Sequence, residues 1–225
     1  MFTLEQVVPW GRSFDEYQRM FALDEADLRL NILGCGDGPA SFNAEATERG
    51  IRVTSCDPIY AFETEQLRQR IDETSADVLA QTRGNAHEFV WTSIASVDEL
   101  ERLRMRAMET FLRDYALGKA EGRYVEASLP ALPFADHECD LALSSHFLFL
   151  YTAQLGEAFH RRAVREMCRV AREVRIFPLL ALGGQPSAFV DVVIDEMRSL
   201  GCTVSVEPVS YEFQRGGNQM MRISC

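Results

Sequence analysis

In the segment Gly34-Cys35-Gly36-Asp37-Gly38-Pro39 three glycines stand two residues apart, a spacing that lets a backbone turn pass close beneath a bound molecule. A side chain there would hold the backbone away from a ligand and forbid positive φ, while Pro39 has the preset φ favoured in a helix's first turn. The chemistry this implies is the cradling of a nucleotide-like group; the alternative is a structural loop. Asp57 ends the next apolar run, Ile51 to Cys56, 23 residues after Gly34. An acid so placed can accept hydrogen bonds from both hydroxyls of a ribose. The plainer reading has Asp57 capping the turn into Pro58. His146 follows Ser144-Ser145 at the end of a later apolar run, where ligands gather in open α/β sheets, and an imidazole titrating near neutrality can act as a base. It also heads the apolar run Phe147 to Tyr151, where a histidine often packs as a structural hydrogen-bonding group.

These residues need elements to position them. Leu30 to Leu33 reads as a buried strand, Ala40 to Arg49 as the helix whose amide-rich end faces the glycines, and Ile51 to Cys56 as the second strand. Tyr124 to Ala127 and Cys139 to Ser145 read as third and fourth strands, and Thr203 to Val209 with Gln219 to Ile223 as a closing antiparallel hairpin around Gly216-Gly217-Asn218. Ser13 with Glu16 forms a capping box for a leading helix to Leu23, on which Phe14, Tyr17, Met20 and Phe21 recur at helical spacing. Between the second and third strands, residues 61–122 hold two further helices, Glu63 to Thr82 and Val97 to Leu117. Asp98 and Glu99 lie in the first turn of the second, and Gly118 is read as its stop. Such an insertion can cap the crevice, serve as scaffold or form a dimer surface.

The two-residue glycine spacing differs from the GxGxxG of dinucleotide sites. With Asp57, the Leu132-Pro133-Phe134-Ala135-Asp136 segment and the Cys139 to His146 run, it resembles the class I S-adenosylmethionine-dependent methyltransferases. Trp10 to Tyr17, Arg123 to Val125, His146 to Tyr151, Val174 to Leu179 and Tyr211 to Gly217 are similar to a group of bacterial methyltransferase-like proteins of unassigned substrate. The resemblance implies a Rossmann-like class I methyltransferase fold: a three-layer α/β/α sandwich with a mostly parallel sheet, an antiparallel last strand and a helical insertion. It implies S-adenosyl-L-methionine as cofactor, with Gly34, Cys35, Gly36 and Gly38 under the methionine part and Asp57 with Pro58 at the ribose. The family often places an acid two residues before the first glycine and another after the third strand. This chain has Ile32 and Ser128-Leu129 there, so the adenine contacts fall to Ser128 and Leu129. Ser144 and Ser145 are read as cofactor-site residues, Arg12 as a partner for the methionine carboxylate, Tyr17 either as core or as a cofactor contact from a leading helix across the cofactor mouth, and His146 as the base that faces the acceptor.

Composition sets the frame. With 225 residues and 47% hydrophobic content the chain is long enough for one compact domain, 1–225, led by a helical segment at 1–28. The net charge of −11 argues against nucleic acid, since a phosphate backbone needs a basic surface. The arginine-rich stretch Arg161 to Arg175 is read as a solvated helix face with Val164, Met167, Cys168 and Ala171 inward. No apolar run approaches the roughly 20 residues of a membrane span, and Met1 to Arg12 lacks the pattern of a signal peptide, so a cytoplasmic protein is expected. The six cysteines are read as reduced core thiols with no metal site, and His87, His137 and His160 as surface residues. The expected activity is methyl transfer to a small-molecule or protein acceptor. A non-catalytic cofactor-binding or partner-binding protein and an NAD-dependent oxidoreductase remain the rivals.

Overall fold

The computed structural model describes residues 8–225; residues 1–7 of the expected leading segment, and of the stretch read for a targeting signal, lie outside the described residues. Seven strands, β1 (Ile32–Cys35), β2 (Val53–Cys56), β3 (Tyr124–Val125), β4 (Cys139–Ser145), β5 (Ala171–Phe177), β6 (Thr203–Pro208) and β7 (Gln219–Ser224), form one sheet in the order β3-β2-β1-β4-β5-β7-β6. The first five pair in parallel. β7 inserts antiparallel between β5 and β6, as the hairpin reading requires.

Strand alternation builds two separate cores. Ile32, Leu141 and Leu143 face one side, against α1 (Phe14–Met20) and α2 (Phe42–Glu48); Leu33, Ala142, Val174 and Ile176 face the other, against α5 (Thr152–Val170) and α6 (Val190–Ser199). Apolar residues on both faces of central parallel strands demand helices on both sides, which gives the three layers. The insertion supplies α3 (Thr64–Gly84) and α4 (Val97–Ala120), whose Leu67, Ile71, Met108 and Phe111 form a third cluster with Tyr60 and Tyr124.

Four sequence expectations are corrected. Gly118 does not end α4: the helix runs to Ala120 and the chain turns at Gly122 (φ 77°). Gly118 is instead a close-packing residue, since a Cβ there would lie 2.4 Å from the Tyr124 ring. The Arg161 to Arg175 stretch is not one solvated helix face, because α5 ends at Val170 and Ala171 opens β5. Arg175 is buried on that strand and pairs with Asp27 and Glu173. His160 is fully buried, with Nδ1 2.6 Å from the Gly156 carbonyl and Nε2 2.9 Å from that of Leu148, whereas His87 and His137 are exposed. Finally, Cys202 and Cys225 form a disulfide, while Cys35, Cys56, Cys139 and Cys168 are buried thiols. The antiparallel register that pairs Thr203 with Ser224 brings those two cysteines together, which their 23-residue separation did not reveal.

Candidate functional site

The carboxyl ends of β1, β2 and β4 open into one cavity lined by Gly36, Asp37, Gly38, Asp57, Ser145 and His146, with Arg12 and Tyr17 reaching in from the leading segment. Gly36 and Gly38 take φ of 71° and 56°, left-handed values that glycine adopts at little cost. A Cβ on Gly36 would also sit 2.8 Å from the Phe147 ring. Gly34 is required for a different reason: a Cβ there would collide with the Asp37 carboxylate. Cys35 is buried in the core behind the turn.

Asp57 latches this turn. Its Oδ2 accepts from the Gly38 amide at 2.9 Å and its Oδ1 from the Ile59 amide at 2.9 Å, so the carboxylate joins the glycine turn to the one-turn helix Pro58–Ala61. The capping reading is therefore realised, and the same side chain also lines the cavity, with a second lone pair left on each oxygen. Burial pushes its carboxyl up to about 6, against the two amide donors that pull it down.

Asp37 is the residue the sequence reading passed over. It accepts from the Tyr17 hydroxyl at 2.8 Å and from Ser55 Oγ at 2.6 Å, and is 7% exposed. Burial pushes it up to about 6 as well, with Asp57 adding to the rise and the two hydroxyl donors opposing it. An acid inside a glycine turn was visible in the sequence; what was not is that Gly34 leaves the space it folds into. Tyr17 is correspondingly engaged with Asp37, and it stacks on Phe42 at 4.3 Å between ring centres.

His146 terminates β4 in the left-handed region (φ 51°), a conformation costing a non-glycine residue about 1–3 kcal/mol. It is held there by its amide donating to the Phe177 carbonyl at 2.7 Å. Burial, with the charges of Arg12 and Arg104, keeps the imidazole well below its ordinary value, so it is neutral at physiological pH. Its Nδ1 lies 3.0 Å from Ser145 Oγ, which in turn donates to Met20 Sδ. Ser144 is buried without lining the cavity.

Ser128 and Leu129 are not part of this cavity. Leu129 is buried in the core, and Ser128 lines a neighbouring shallow depression with Pro58 and Glu126. The cavity is also lined by Val78 and Thr82 of α3 and Leu100 of α4, from the insertion for which capping the crevice was one of three readings, and by Phe213 and Gln214 from the β6–β7 connection, for which no role was read. That connection is tied to the insertion, the Val90 amide donating to the Phe213 carbonyl and the Arg215 amide to that of Glu88.

Beside the cavity, Glu16 receives a bidentate pair of hydrogen bonds from Arg104 at 2.6 and 2.7 Å and a third from the Tyr211 hydroxyl at 3.0 Å. Burial alone would push the Glu16 carboxyl up, but the Arg104 charge and hydrogen bonds outweigh it and hold it at about 2. Arg12 has no carboxylate partner among the described residues: it donates from one terminal nitrogen to the Trp10 carbonyl, and its buried Nε makes no hydrogen bond. No cluster of metal-ligating side chains occurs among the described residues.

No family model matches the chain. Over 221 residues, 98% of this chain and 97% of the relative, it is 35% identical to the uncharacterized protein MJ0045 of Methanocaldococcus jannaschii. Among solved structures, the mitomycin 7-O-methyltransferase MmcR superposes with a TM-score of 0.50 at 12% identity, over 94% of this chain and 53% of that one. The PH0226 protein from Pyrococcus horikoshii superposes with a TM-score of 0.49 at 11% identity, over 94% and 88% of the two chains. At such identities the likeness is one of fold.

Proposed function

The chain belongs to one family with the M. jannaschii protein and carries the class I methyltransferase fold, and from that premise we propose that it is an S-adenosyl-L-methionine-dependent methyltransferase acting on a small-molecule acceptor. The observation that carries the reading is the joint placement of a left-handed glycine turn, a cavity-facing acid after β2 and a neutral histidine after β4 around one cavity. When bound, the cofactor supplies a methyl group already activated by its sulfonium. Gly36 and Gly38 give its backbone-close berth, and Asp57 uses the remaining lone pairs of its carboxylate to accept the ribose hydroxyls. Asp37 and Tyr17 brace the turn from below.

His146 is the proposed base. With Ser145 Oγ donating to Met20 Sδ, its oxygen is left to accept from Nδ1–H, and the Nε2 lone pair remains for the acceptor's proton. A small molecule is favoured over a protein acceptor by the apolar residues that line the cavity. A cytoplasmic location belongs to the same proposal; the four buried thiols support it and the Cys202–Cys225 disulfide pulls against it. Among the described residues no helix is long and apolar enough to cross a membrane.

The test is ligand selectivity. S-adenosylhomocysteine should raise the Tm of the purified protein while NAD leaves it unchanged. A Tm raised by NAD alone would move the assignment to an oxidoreductase, and binding of S-adenosylmethionine without turnover on any acceptor to a non-catalytic binding protein.

A further inference from the structure

The charges around the cavity do not balance. Among the described residues that line it stand three carboxylates, Asp37, Asp57 and Glu88, against one guanidinium, Arg12, while His146 is neutral. Four acids are buried among the described residues. Glu16 pairs with Arg104, and Glu196 with Arg161 and Arg165; the two without an arginine are Asp37 and Asp57, 7% and 8% exposed, both at the glycine turn. Their hydrogen bonds come from neutral donors alone, the Tyr17 and Ser55 hydroxyls for Asp37 and the Gly38 and Ile59 amides for Asp57. A buried carboxylate held only by neutral groups is costly until a cation or a proton reaches it. Burial accordingly pushes both carboxyls up to about 6, and Asp57 adds to the rise at Asp37.

We infer that the missing counter-charge is the ligand's own: the Asp37–Asp57 end of the cavity selects the cationic, methyl-bearing cofactor over its neutral demethylated product, and Asp37 is the specificity-determining residue. The inference rests on the S-adenosylmethionine reading and deepens it. S-adenosylmethionine carries one positive charge more than S-adenosylhomocysteine, and an enclosed cavity of low dielectric strengthens the pull of fixed carboxylates on that charge. The glycines let the acids act at close range. Gly34 leaves the space into which the Asp37 carboxylate folds. Gly38 follows Asp37 and donates its amide to Asp57, and a Cβ there would meet nothing within 4 Å, so a ligand can approach the backbone that joins the two acids. Asp57 accepts the ribose hydroxyls of either ligand, whereas Asp37 has no ribose contact, and its charge can be removed by itself. Methyl transfer breaks the carbon–sulfur bond with its electron pair left on sulfur and bonds the methyl carbon to the acceptor, whose proton passes to His146. The bound ligand is then one positive charge poorer, and the acids that held it no longer favour its retention.

Calorimetry on the full chain tests this at about pH 8, where both carboxyls are ionised. The probes are S-adenosylmethionine, S-adenosylhomocysteine and sinefungin, in which a protonated amine replaces the methylated sulfur. The two cations should bind wild type about tenfold or more tighter than S-adenosylhomocysteine. Asp37→Asn keeps the shape and removes the charge; it should weaken both cations so that the preference shrinks about threefold or more, with S-adenosylhomocysteine changed less than that. Tyr17→Phe removes a hydrogen-bond donor from Asp37 and keeps the charge, so the preference should survive it. The inference is overturned if S-adenosylhomocysteine binds wild type as tightly as the two cations, a ratio that is read even if a variant does not fold. It is also overturned if Asp37→Asn weakens all three probes alike, or if Tyr17→Phe abolishes the preference as fully as Asp37→Asn does, because the carboxylate then only braces the turn. In those cases the cofactor reading stands. A folded wild type that binds none of the three overturns that reading, and this inference with it.

Discussion

Asp57 shows how one side chain serves both architecture and ligand. Its two amide bonds close the turn, so removing it costs order in the cradle as well as a ribose acceptor. Asp57→Ala should weaken S-adenosylhomocysteine binding by about 1–3 kcal/mol, the cost of leaving polar partners unpaired; an unchanged dissociation constant would remove it from the site. Protonation gives a second handle. Because burial raises the Asp57 carboxyl to about 6, the ionised acceptor is complete above pH 7, and affinity should fall as pH drops through 6, by at most about tenfold per unit for one linked proton. Stability runs the other way for the same group. A carboxyl raised from 3.8 to about 6 binds its proton more tightly folded than unfolded, so its contribution declines as pH rises from about 4 to 6 and is flat above. Asp37 follows the same sign. At this scale the sequence made Gly36, Gly38, Asp57 and His146 legible, because residue type and spacing encode them. Asp37 acquires its partners Tyr17 and Ser55 from the tertiary fold, and burial is not written in a local window.

At the scale of elements, the leading helix, the insertion and the β6–β7 connection are joined by one buried cluster: Glu16 of α1, Arg104 of α4 and Tyr211. The sequence showed Glu16 only as the far member of a capping box, which it also is. Nothing in the spacing of residues 16, 104 and 211 announces that they meet, since only the tertiary fold brings them together. Breaking the cluster by Glu16→Gln leaves the Arg104 charge buried and uncompensated, and should cost about 3–5 kcal/mol in denaturant unfolding. Replacing both partners by apolar residues, Glu16→Leu with Arg104→Met, should cost less than the single change. A Glu16→Gln loss below 1 kcal/mol would mean that the pair is not insulated from water. The elements up to α4 and the closing hairpin were legible from periodicity, whereas α6, the start of β5 at Ala171 and the end of α4 were not: Gly118 looks like a stop but is a notch for the Tyr124 ring.

For the whole molecule, the sheet order and the antiparallel β7 separate this chain from dinucleotide folds, and the terminal hairpin was the sequence feature that foretold it. The disulfide that staples the hairpin's outer ends depends on strand register and was invisible. The fold places Gly36, Asp57 and His146, from three different strand ends, around one cavity, and the central claim is that this cavity holds S-adenosylmethionine. Calorimetric titration of the full chain with S-adenosylhomocysteine, in parallel with Gly36→Val, tests it most directly. A valine at φ 71° is strained and meets Phe147, so the variant should lose binding that the wild type shows at micromolar concentration. A folded wild-type protein that takes up no S-adenosylhomocysteine, or a Gly36→Val protein that binds it equally well, would contradict the account.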